Sequence, residues 1–301
     1  MLAEREETMT ADLKAILGER TNIRLVEGGE IAGLSRQWVS ANKDSGRSLV
    51  IGGGDGSILA AIPAFIGTDI PLGILPLGTQ NMVVRELSFS EQFRQAAKQL
   101  KTGVAGHMDV GELNGRHFLY AITLDPSSFR LFEAREGLRD GKLFDAMAAT
   151  MEIMGSVLAG ETMDLQLQTV KDGTLSPPET VSGTLIGIAT RPLAPKPVAW
   201  TFNPREIFAK ALARAEEGDG NLSLYAFRGN PANALSLLWQ AQQGNWAQDS
   251  SVTVRSAPAF RIALPGKKEA SVILDGEIAR VSLPLDIRII SKGLAVFRPC
   301  P

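Results

Sequence analysis

Three polar clusters of this chain hold residue types and spacings that could do chemistry. The first is Gly52-Gly53-Gly54-Asp55-Gly56-Ser57, set between the apolar run 48–51 and a helix-compatible segment from Ile58. Glycines let backbone N–H groups approach a polyphosphate with no side chain in the way, and a following helix aims its partial positive charge at the same anion. The run fits neither G-x-G-x-x-G nor G-x-x-x-x-G-K-[ST], so dehydrogenase and P-loop readings are poor. A tight strand-to-helix turn without a ligand is the competing reading. The second cluster, Pro76-Leu77-Gly78-Thr79-Gln80-Asn81, follows the next strand-like run. Two polar, glycine-bearing turns after successive strands of an open α/β sheet emerge at the edge where ligands bind. The third is Leu274-Asp275-Gly276-Glu277. Asp-Gly is a strong hairpin signal, and Glu277 would be a strand-mounted carboxylate able to take a proton from a hydroxyl.

These clusters need elements to carry them. Residues 1–105 alternate helix-like and strand-like segments, which predicts an α/β domain with a mainly parallel sheet. Helices are expected over 8–17, 31–42 and 57–66, the last disturbed by Pro63, and strands over 22–26, 48–51 and 71–75. Ser88 or Ser90 is positioned to cap a helix through Phe93 and Leu100, with Glu91 completing a capping box. From 106 to 291 the texture becomes strand-rich, with expected strands at 108–113, 117–124, 163–170, 184–189, 222–227, 251–254, 259–264, 271–274, 279–283 and 287–290. This predicts an all-β, sandwich-like second domain, with residues 292–301 returning to the first. Helical insertions are expected at 142–158 and 232–243. The first places Phe144, Met147, Met151, Met154 and Leu158 on one face, a stripe that reads as core packing. His107 and His117 read as structural or solvated, and Trp200, Trp239 and Trp246 as packing.

Composition bounds the function. The chain has 301 residues, 44% hydrophobic and 21% charged, with a formal net charge of -2. No global basic field draws it to nucleic acid. One cysteine, Cys300, excludes an intrachain disulfide, and with two histidines it leaves no ordinary structural zinc set. A cytoplasmic protein, peripheral at most to a membrane, is the expectation.

The order of these motifs resembles the diacylglycerol kinase catalytic-domain family, which includes bacterial lipid kinases and sphingosine kinases. Gly53 to Ser57 looks like the family's GGDGT turn, Pro76 to Asn81 its P-x-G-T-x-N turn, and Arg85 its following arginine. Asp109-Val110-Gly111 through Phe118 is similar to its DxGxxNGxxF strand pair, Asp219-Gly220-Asn221-Leu222 to its DGxL segment, and Asp275-Gly276-Glu277 to its DGE. The resemblance implies an ATP- and Mg2+-dependent lipid kinase with an NAD kinase/diacylglycerol kinase-like α/β domain, a β-rich lipid domain and an active site between them. On that reading Gly53, Gly54, Asp55, Gly56, Ser57, Gly78, Thr79 and Asn81 hold the nucleotide, and Asp55 lies near the phosphates and metal. Glu277 is the base. A further magnesium is implied at Asp219 with backbone oxygens of Glu216 and Asn221. A solvated turn is the alternative for Asp219. The partners implied are a lipid alcohol and a transiently touched membrane surface, and a homodimer is compatible.

The sequence departs from the family pattern by beginning after the strand and NPxSG loop that open it, by Met82 where an aspartate often stands, and by Asp125-Pro126-Ser127-Ser128 and Ala189-Thr190-Arg191-Pro192 where lipid is expected. These departures keep two alternatives in view. One is a catalytically degenerate nucleotide-binding or regulatory protein; the other is a kinase of a soluble substrate, similar to NAD kinase.

Overall fold

The computed structural model describes residues 2–78, 81–124, 162–197, 214–215, 218–228, 240 and 243–300. The chain divides into two compact units, Met1–Met108 with Lys292–Pro301, and Asp109–Ser291. The expected helix 142–158, most of 232–243, residues 125–128, Trp200 and Trp239 lie outside the described residues.

The first unit runs α1 (Leu2–Leu17), α2 (Ile31–Asn42), β1 (Leu49–Gly53), α3 (Asp55–Ala61), β2 (Leu72–Pro76), α4 (Met82–Glu86) and α5 (Phe93–Lys101). Helix α2 buries Ile31, Ser35 and Val39, one residue per turn along a single stripe. Helix α3 stops where Pro63 cannot donate, and the chain continues as a short 3-10 turn, Ile62–Ala64. β1 and β2 pair in parallel from Leu49↔Leu72 to Gly53↔Pro76, so the two strands end level. β2 is buried throughout and pairs on its other side, also in parallel, with Val296. Gly73 is what lets α5 lie on this strand, since a Cβ there would stand 2.8 Å from Val50 Cγ2 and 3.1 Å from Leu100 Cδ1. The parallel sheet with helices is therefore as expected, with two local differences. Residues 22–26 form no strand, and Leu25 and Val26 are exposed. The capping box is also absent. Ser88 takes a left-handed conformation at φ 63°, α5 starts after Gln92, and Ser90 Oγ only accepts the Gln92 N–H at 3.1 Å.

Within the second unit the strands are the end of β3 (Val104–Leu113), β4 (Arg116–Phe118), β5 (Ala121–Leu124), β6 (Met163–Lys171), β7 (Thr174–Leu175), β8 (Glu179–Gly183), β9 (Leu185–Ala189), β10 (Leu222–Phe227), β11 (Val252–Ala257), β12 (Ala259–Ala263), β13 (Glu269–Leu274), β14 (Glu277–Ser282) and the start of β15 (Leu285–Arg298). One antiparallel sheet has the order β11-β10-β9-β5-β13-β14. Elsewhere β12 lies between β6 and β15, β6 also pairs with β7 and β8, and β3 pairs with β4. Alternate residues of these strands close one apolar core, including Leu165, Ile188, Leu224, Phe260, Val272 and Ile287. The expected strand 117–124 is two strands, because Leu119 and Tyr120 leave the ladder. Trp246 packs as expected, buried with its ring 5.8 Å from that of Tyr225.

Candidate functional site

In the first unit the level ends of β1 and β2 bring the glycine turn and the Gly78 turn together. Neither Gly54 nor Gly78 has a positive φ, so glycine is required here by proximity rather than by backbone conformation. A Cβ on Gly78 would overlap Gly54 Cα, while a Cβ on Gly54 would rest 3.4 Å from Gly78 Cα. A Cβ on Gly53 would meet Ser57 Cβ at 2.6 Å. The Leu77 N–H donates to the Gly53 carbonyl at 3.1 Å, locking one turn to the other.

Two side chains complete the lock. Asp55 Oδ1 accepts the Val83 N–H at 3.0 Å, so the first residue of α3 caps the first turn of α4. Asn81, at φ 47°, sits before α4 and accepts the Gly78 N–H on Oδ1 at 2.9 Å. The Ser57 and Ile58 N–H groups both donate to the Gly54 carbonyl. Those of Asp55 and Gly56, the first two residues of the helix, have no helical acceptor. The expected nucleotide residues Gly53, Gly54, Asp55, Gly56, Ser57, Gly78 and Asn81 thus form one construction; Thr79 lies outside the described residues. The fit to a polyphosphate is good in one respect: the turn offers amides, and added side-chain volume would fill it.

In the second unit the expected hairpin forms, with Asp275 at φ 47° and Gly276 at φ 86° joining Leu274 to its cross-strand partner Glu277. These positive angles fit a two-residue type I′ turn. Glu277 is exposed at the start of β14. The carboxylate that the fold engages is instead Asp275, only 7% exposed. Its Oδ2 accepts the Leu119 N–H at 2.6 Å, and its Oδ1 accepts those of Tyr120 at 2.8 Å and Ala121 at 3.1 Å. Burial pushes its carboxyl up to about 6, against the opposing pull of the three amides and of Arg214. The carbonyls of the same segment are held too. Thr190 Oγ1 donates to the Leu119 carbonyl at 2.6 Å, and the Thr190 N–H to that of Tyr120 at 3.0 Å. Arg214 donates to Thr190 Oγ1 at 2.5 Å and lies 5.5 Å from the Tyr120 ring centre. Desolvation brings Arg214 down to about 10, which leaves it charged at neutral pH.

Sequence reasoning gave no role of their own to Asp275, Thr190 or Arg214. The signal for Asp275 was present as the Asp-Gly pair, but it specified a turn and said nothing of where the carboxylate would point.

The loop expected to hold magnesium is only partly within the described residues, since Glu216 lies outside them. Asp219 is exposed and its Oδ1 accepts the Asn221 N–H at 3.0 Å, an Asx turn of the kind the alternative reading describes. Beside it, a Cβ on Gly218 would overlap Asp109 Oδ2, so the DxG strand and the DGxL loop do meet. Among the described residues no three His, Cys, Asp or Glu side chains gather into a metal-binding set, and no step below is routed through an ion held there. His107 is exposed, and His117 lies 3.5 Å from Glu112, with desolvation holding its pKa below the usual imidazole value.

These features define a class: an α/β unit with two interlocked glycine turns, and in the same chain an antiparallel β unit whose hairpin carries an acidic pair. Residues 4–113 match the family model of the diacylglycerol kinase catalytic domain, in agreement with the resemblance read from the motifs. Among curated relatives, a putative lipid kinase of Staphylococcus aureus strain JH9 is 24% identical over 255 residues, which is 82% of this chain and 75% of that protein. The putative lipid kinase of strain MSSA476 aligns to the same extent. The fold matches the crystal structure of a putative diacylglycerol kinase from Bacillus anthracis str. Sterne, with TM-score 0.67 at 18% identity over 98% of this chain and 92% of that one. A second diacylglycerol kinase structure from that organism gives TM-score 0.62 at 15% identity, with the same coverage. None of the described helices is long and apolar enough to cross a membrane.

Proposed function

We propose that this protein is a kinase transferring the γ-phosphoryl group of ATP to a hydroxyl of a diacylglycerol-like or sphingoid lipid. The observation that carries the reading is the interlock of Gly54 and Gly78 inside the segment that matches the diacylglycerol kinase catalytic domain. Phosphoryl transfer asks mainly for positioning and charge neutralisation. Bound as the magnesium complex, ATP supplies the phosphoryl group and part of that neutralisation. The amides of Asp55 and Gly56, which no helical carbonyl takes, orient the phosphates. Asp55 keeps the two turns in register through Val83, and its second oxygen would help hold the magnesium of the nucleotide. Glu277, exposed and mounted on a strand, accepts the proton of the attacking hydroxyl. The protein works in the cytoplasm and visits the membrane surface for its substrate.

The test is transfer of radiolabelled γ-phosphate from ATP to a panel of diacylglycerol, sphingosine and ceramide in mixed micelles, with NAD as a soluble acceptor. Labelled lipid is the expected product. Glu277→Gln is expected to lose at least about 100-fold in kcat while ATP affinity holds, the range for removing a general base. ATP binding without transfer to any acceptor would favour the regulatory alternative, and labelled NADP the soluble-substrate one.

A further inference from the structure

We propose that Asp275 is the positioning residue for Glu277, its side chain bonding the hairpin turn to the strand break at Leu119–Ala121 and so fixing the direction in which Glu277 leaves the sheet. The inference rests on the reading of Glu277 as base, which the resemblance supplies; the role of Asp275 comes from its contacts.

Among the described residues β14 ends its sheet and pairs with β13 alone, so neighbouring strands hold Glu277 from one side. β13 in turn pairs with β5, among the described residues, through Ile273↔Thr123 and Leu274↔Ile122. One step further Asp275 faces Ala121, the end residue of β5, beyond which Leu119 and Tyr120 have left the ladder. Asp275 takes over at that step. Its own N–H donates to the Ala121 carbonyl at 3.0 Å, and its carboxylate collects the next three amides of the facing segment. Three consecutive amides converging on one carboxylate make an anion-binding nest. Here the chain fills the nest with its own side chain.

The segment so gripped is held from behind by Thr190, which is itself held by Arg214. The turn therefore inherits the rigidity of the sheet interior although it lies beside an edge. A buried carboxylate is a costly way to gain stability alone, since burial of an ionised group is paid back only by good geometry. What the geometry gains is direction. With Asp275 and Gly276 fixed in left-handed conformations, the Cα–Cβ vector of Glu277 has no remaining freedom at the turn.

Asp275→Asn tests this in the full chain. An amide can still accept the Tyr120 and Ala121 bonds, but turns an NH2 group toward the Leu119 N–H, so one tie is lost and the fold is retained. Two readouts are needed. In the lipid-transfer assay, kcat is expected to fall about 10- to 100-fold with KM for ATP unchanged, the scale for a slight misplacement of a reacting group. By NMR, the Leu119 amide should lose exchange protection and the Gly276 and Glu277 amides should lose order. Asn114→Ala, which removes ties between another turn of the same unit and Ser282, Pro284 and Asp286, should lower stability yet leave kcat alone. An unchanged kcat in Asp275→Asn, or a loss no larger than in Asn114→Ala, overturns the proposal. So does unaltered order at Gly276 and Glu277, a result obtainable whether or not the protein transfers phosphate. Full activity in Glu277→Gln is the separate signature that the base reading itself has failed.

Discussion

Both turns of interest are fastened by an aspartate accepting backbone amides, yet they are built to different ends. Asp55 in the first unit is half-buried and accepts one amide, Val83, leaving the rest of its turn lined by glycines and open amides. Asp275 in the second unit is buried and accepts three, so that nothing in its nest is left over. A turn meant to receive an anion keeps its donors unspent, and a turn meant to hold a neighbour in place spends them internally.

The comparison is broken most forcefully at Asp275. Asp275→Ala orphans three buried amides and should destabilise the second unit by about 3–5 kcal/mol, read by urea unfolding. A loss below about 1 kcal/mol would mean the nest is satisfied by water. The pH dependence follows next. The folded carboxyl titrates near 6, against an ordinary aspartate value of 3.8, so the folded state binds the proton more tightly. Stability from this group is therefore fully present below pH about 4 and declines by about 3 kcal/mol as pH rises through 6, then levels. Asp275→Asn should remove that decline from a series of melts between pH 4 and 8.

In the first unit the effects are smaller and steric. Gly78→Ala forces a backbone shift against Gly54 and should cost about 2 kcal/mol together with nucleotide affinity, while Gly54→Ala, with room at 3.4 Å, should cost under about 1 kcal/mol. Equal losses at the two glycines in parallel melts and ATP titrations would deny the interlock. Asp55→Ala falls between the two glycines, at about 1 kcal/mol, the worth of one capping bond, detectable as a shift in melting temperature.

Local pattern carried much of this architecture and failed where pairing or a distant side chain intervened. The helix at 31–42 and the strand at 222–227 have the boundaries their periodicity predicts. Residues 22–26 have a strand-like composition but no strand beside them, and extended chain without a ladder is not a strand. The strand expected over 117–124 looks continuous in sequence because Leu119 and Tyr120 are apolar and aromatic. At its break the amides turn to Asp275, more than 150 residues away. The same reason hid that residue from the candidate list. The glycine turns were legible because phosphate chemistry and close packing ask for the same residue; a buried tie between remote segments leaves no such local mark.

The return of residues 292–301 to the first unit has a consequence for synthesis. Val296 is the neighbour of Leu72 in the parallel sheet, so the strand that carries the Gly78 turn waits for a partner more than 200 residues downstream. Residues 109–291 form a contiguous stretch able to collapse as it emerges, but the N-terminal unit, made first, is finished last. Removing residues 292–301 would therefore strike a unit made long before them.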